Sequence, residues 1–84
     1  MDDLLLAKFD RSPTEEVRVS LREFNGAKFL DIRVYAKPGD SDKYMPTKKG
    51  VAFAPRLLPK LRDALYLADK ALSEEGILLQ AVKP

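Results

Sequence analysis

The chain has no cysteine, no histidine and no tryptophan, and only four glycines among its 84 residues. Without cysteine there is no disulfide and no thiolate metal site, a composition suited to a reducing compartment. Without histidine the commonest metal ligand and general base is missing. Ser12, Ser20, Ser41 and Ser73 therefore have no imidazole to activate them. Gly26, Gly39, Gly50 and Gly76 stand apart, so no glycine-rich phosphate cradle is present. Asp31 and the acids of the 40–42 loop have no paired spacing, and Asp40 and Asp42 lack the ligand series of a calcium loop. The expectation is a protein that is not an enzyme and that uses neither cofactor nor metal.

Long apolar runs are missing too. Leu4-Leu5-Leu6-Ala7 is too short for the core of a signal peptide, and Asp2-Asp3 before it has the wrong sign. Nothing approaches transmembrane length. A soluble, intracellular chain of one domain is expected, with no membrane partner. So short a chain buries a modest fraction of its surface and needs a staple or a partner. With disulfides and metals set aside, a homodimer is the remaining means.

Alternation is what the sequence does have. Val17, Val19 and Leu21 alternate with Arg18, Ser20 and Arg22; Leu30, Ile32 and Val34 alternate with Phe29, Asp31, Arg33 and Tyr35. Asn25-Gly26 lies between the two runs, a pair that accepts the positive φ values of a type I′ turn. The pattern predicts a hairpin of strands at about 16–24 and 28–37, apolar on one face and arginine-bearing on the other. Net charge is only +2, but residues 17–62 hold eleven Lys/Arg against four Asp/Glu. A local surplus of this kind argues for a polyanionic partner.

Residues 1–14 read as an N-terminal extension in which Leu4–Phe9 is either a short strand or a helical turn. Pro38-Gly39-Asp40-Ser41-Asp42 is a loop. A third strand is expected at about 43–48, where Pro46 requires an edge or a bend, and a short fourth at 51–54 after a turn or bulge at Gly50. Leu57, Leu58, Leu61, Leu65, Ala68 and Leu72 then form a helical stripe. Pro55 suits its start, Pro59 moves the regular helix toward Leu58, and Gly76 ends it. Domain boundaries are set at 15–76, with an apolar tail at 77–84.

Single-stranded nucleic acid is held by cations that follow the phosphates and rings that stack on bases. Arg18, Arg22 and Arg33 can share a sheet face, Phe24 lies at the hairpin tip, and Lys48-Lys49 stand beside Gly50. Phe29 and Tyr35 share that parity, but are expected to pack against a second interface. Arg33 is also placed to pair with Asp31.

Val19-Ser20-Leu21-Arg22-Glu23-Phe24-Asn25-Gly26, Leu30-Asp31-Ile32-Arg33 and Pro46-Thr47-Lys48-Lys49-Gly50-Val51, in this order and before a helix, resemble the positive cofactor four family of transcriptional coactivators. The likeness spans about residues 15–72. It implies an α+β fold, a curved four-stranded antiparallel β-sheet followed by a C-terminal α-helix, assembled as a homodimer that binds single-stranded DNA with little sequence specificity. The positions matching the family pattern are Arg22, Phe24, Arg33, Lys48, Lys49 and Gly50, with Lys28 compensating for Asn25 and Ala27, where members often carry lysines. Ala36 and Met45 replace an aromatic and a lysine. The resemblance implies a compact bacterial or phage version, with a role in transcription regulation or in DNA replication and repair and with transcription machinery as a further partner. It would be cytoplasmic and nucleoid-associated in a bacterium, nuclear in a eukaryote. The alternative is a dimeric protein-interaction module, or an RNA-binding variant with weakened DNA affinity.

Overall fold

The computed structural model describes residues 3–74. Four strands, β1 (Leu4–Ser12), β2 (Glu15–Phe24), β3 (Ala27–Ala36) and β4 (Met45–Phe53), form one antiparallel sheet in the order β1-β2-β3-β4. A 3-10 turn at Pro55–Leu57 leads into a helix, α1 (Leu58–Glu74).

The central hairpin follows from its alternation. Val17↔Val34, Val19↔Ile32 and Leu21↔Leu30 pair on one face, and Arg18↔Arg33, Ser20↔Asp31 and Arg22↔Phe29 pair on the other. Asn25 and Gly26 take φ of 51° and 80°, both left-handed, as a type I′ turn requires.

The outer strands differ from the sequence expectation. Leu4–Phe9, left open between strand and helical turn, lies within β1, paired along β2. The pairing slips at Leu6 and again at Arg11, which hides strand periodicity in the sequence. The segments expected as third and fourth strands are instead one strand, β4. Pro46 is tolerated because β4 lies at the sheet edge, and the strand is bent there: Thr47, Lys48 and Lys49 together oppose Val34. The count of four therefore holds with β1 as the missing member.

The helix begins where the prolines allow. The Leu57 amide donates to the Ala54 carbonyl at 3.0 Å to close the 3-10 turn. Pro59 occupies the first turn of α1, where its missing N–H has no intrahelical acceptor in any case. The expected stop at Gly76 and the apolar tail at 77–84 lie outside the described residues.

The described residues form a slab, 43 × 39 × 18 Å, with almost no interior. Leu30 is their one buried apolar side chain. α1 stands off the sheet across an open apolar groove of about 430 Å³, with Leu21, Leu30 and Ile32 on one wall and Leu58, Leu61 and Leu65 on the other. Leu65 remains 60% exposed, and Tyr66 and Leu67 on its flank are as open.

Candidate nucleic-acid interface

On the polar face of the hairpin, Arg18 and Arg33 sit directly opposite each other, an arrangement that repels unless neutralised. Two carboxylates do so, each two residues before its arginine and hence on the same face. Arg18 Nε donates to Glu16, and Arg33 donates from Nε and Nη2 to the two oxygens of Asp31 at 3.1 and 3.0 Å. Glu16 and Asp31 are both buried, so these pairs are shielded from water and salt far better than surface pairs. The Asp31 hydrogen bonds raise the Arg33 pKa above its ordinary value, outweighing the lowering by desolvation. The guanidinium is cationic at every accessible pH.

Arg33 also shapes β4. Its Nη1 donates to the Thr47 carbonyl at 2.8 Å, and Thr47 Oγ1 donates to the Val34 carbonyl at 2.8 Å. These bonds pin the bulge that carries Lys48 and Lys49. Gly50, paired with Arg33, has the reason for its identity here: a Cβ at this position would lie 2.8 Å from Arg33 Cζ and 2.9 Å from the Ile32 carbonyl oxygen. The absent side chain makes room for the guanidinium.

The candidate residues are therefore only partly brought together. Arg22, Phe24 and Arg33 share the polar face. Lys28 pairs with Glu23 on the opposite, apolar face at the hairpin end, and Lys49 reaches Glu15 at 3.9 Å. Lys28, Lys48 and Lys49 are exposed, and Phe24 is 70% exposed at the tip. Arg22 is partly engaged: Nε meets Asp3 at 3.2 Å and Nη1 lies 3.8 Å from Asp31. The arginines line a balanced network, not a bare cationic strip, and the less committed cations are lysines.

Sequence reasoning missed the cluster at the other end of this face. Arg18 lies over the Tyr35 ring, 4.2 Å from its centroid and 6.0 Å from that of Tyr44, while Lys37 lies 5.4 Å from the Tyr44 centroid. Tyr35 was visible by parity; Tyr44, beyond a loop, gave no signal. Among the described residues no group of three or more acids is placed to hold a metal, and no helix is long and apolar enough to cross a membrane.

The family described as Transcriptional Coactivator p15 (PC4) matches residues 12–64. Among curated proteins none matches the sequence. Solved structures do. The crystal structure of a PC4 homologue from Burkholderia pseudomallei, in its tetragonal form, matches with a TM-score of 0.74 at 26% identity, covering 81% of this chain and 98% of that one. Its orthorhombic form gives 0.71 at 29% identity, with 77% and 86% covered. A bacteriophage T5 homologue of the eukaryotic coactivator PC4, implicated in recombination-dependent DNA replication, gives 0.60 at 28% identity, with 95% and 88% covered. The family match runs from the end of β1 through β2, β3 and β4 into α1, well over half of the residues, and so the chain belongs to the transcriptional coactivator p15 (PC4) family.

Proposed function

We propose that the protein is a homodimer that binds single-stranded DNA with little sequence preference, in transcription regulation or in DNA replication and repair. One observation carries this reading. A ring that is 70% exposed, Phe24, and a lysine pair on a bulge pinned by Arg33 are held on rigid strands and not on loose loops. Rigid placement lets a flexible strand be gripped without ordering the protein as well. Lys28, Lys48 and Lys49 neutralise phosphates, Arg22 adds its remaining donors, and Phe24 stacks on a base. Arg33 and Gly50 contribute by shaping the lysine bulge.

The homodimer is supported by the near absence of an interior. Ordering a residue costs about 1–2 kcal/mol of backbone entropy, which the one buried leucine among the described residues cannot offset. The groove beneath α1 and the exposed Leu58, Leu65 and Leu72 are the surfaces a second copy would cover. The uptake of the arginines by Glu16 and Asp31 favours a second reading, a dimeric protein-interaction module with weakened nucleic-acid affinity. Fluorescence anisotropy with a labelled oligonucleotide separates the two. Tight binding to single-stranded DNA and weaker binding to duplex is expected; equal affinity for both, or none, refutes the first reading. Competition by an RNA strand of the same sequence tests the choice of sugar.

A further inference from the structure

At the end of the sheet, where the β2–β3 turn meets the C-terminal end of β4, lies a pocket of about 410 Å³. Its walls are three rings, Phe24, Phe29 and Phe53, together with three alanines and Lys28. Its volume falls within the range of small-molecule sites, and its lining is almost wholly apolar. Phe29 is half-buried and lines the pocket.

We infer that this pocket takes one unstacked nucleobase, with Phe29 as a second stacking ring beside Phe24. The inference rests on the single-stranded nucleic-acid reading above and assigns to Phe29 a role that its sequence position alone did not suggest. Charge complementarity selects the occupant. The register sets Arg22 directly opposite Phe29, a cross-strand pair whose Cβ atoms are typically about 5 Å apart. Lys28 is the charged residue among those that line the pocket. An apolar pocket with a lysine in its lining and a partly engaged arginine on the neighbouring strand matches a nucleotide, whose aromatic base is joined to an anionic phosphate on either side. An apolar segment of a second copy would have no use for these charges.

The test compares Phe29→Leu and Phe29→Tyr with the unsubstituted protein. Two labelled single strands serve as probes, one ordinary and one carrying abasic spacers. Phe29→Leu is expected to weaken binding to the ordinary strand about tenfold and to leave binding to the abasic strand unchanged. Phe29→Tyr, which keeps a ring, is expected to retain affinity for both. Sedimentation of each variant reports the assembly. Equal loss on both strands, or loss on neither, overturns the inference. So does a change in assembly with unaltered DNA binding, which would assign the pocket to a second copy. If the unsubstituted protein binds no single strand, the functional reading falls and this inference with it; if it binds independently of Phe29, only the inference falls.

Discussion

Gly50→Ala is the sharpest structural perturbation, because the added methyl meets two different neighbours. It would lie 2.8 Å from Arg33 Cζ and 2.9 Å from the Ile32 carbonyl oxygen. The backbone oxygen cannot yield without disturbing the β3–β4 ladder, so the guanidinium must move. Moving it weakens both bonds to Asp31 and the bond to the Thr47 carbonyl. Overpacking alone is worth about 1–3 kcal/mol. Loss of a partner for a buried carboxylate reaches about 3–5 kcal/mol, and displacement short of loss is a fraction of that. The combined destabilisation should be about 2–4 kcal/mol. Urea denaturation at one fixed protein concentration measures it, the fixed concentration being required because a dimer's stability depends on it. A cycle with Arg33→Ala identifies the cause. In that background the contact with the guanidinium is gone while that with Ile32 remains, so the two substitutions should be non-additive by about 1–2 kcal/mol. A loss below about 0.5 kcal/mol for Gly50→Ala, or strict additivity, would refute the reasoning.

Three further perturbations test other parts of the account. Gly26→Ala meets no atom within 4 Å but retains a φ of 80°, so it should cost about 1 kcal/mol in urea denaturation through backbone strain alone, and no loss would place the strain elsewhere. Leu65→Asp puts a charge on the open helix face and should convert a dimer into monomer or unfolded chain in sedimentation; an unchanged assembly would show that this face is not the interface. Lys48→Ala/Lys49→Ala should lower affinity for single-stranded DNA while leaving the sedimentation profile and melting unchanged, and unaltered affinity would remove the lysine bulge from the interface.

The central hairpin was legible because each of its signals agrees with the others. Period-two alternation set both faces, and Asn25-Gly26 set the turn and hence the register. The helix start was legible from Pro55 and Pro59. The outer strands were not, for two distinct reasons. Leu4-Leu5-Leu6 carries no alternation, because the slip at Leu6 breaks the period that a strand normally shows. Pro46 and Gly50 read as strand breakers, whereas one sits at an edge and the other makes way for a side chain from the neighbouring strand. The latter reason is tertiary and has no local trace.

The candidate site divides in the same way. That Arg18, Arg22 and Arg33 share a face followed from parity. That two of them are absorbed by buried acids was signalled by Glu16-x-Arg18 and Asp31-x-Arg33, since residues two apart on a strand lie side by side. Reading these spacings as ion pairs moves emphasis from the arginines to the lysines. The role of Gly50 and the placement of Tyr44 against Arg18 depended on the β3–β4 pairing and on the course of the loop before it, which composition does not encode.

The most direct measurement of the central claim is a salt titration of binding between the full chain and a labelled single strand. Log affinity should fall linearly with log salt at about −0.7 per phosphate contacted, or about −2 per protomer if Lys28, Lys48 and Lys49 each neutralise one. A flat profile would contradict the account.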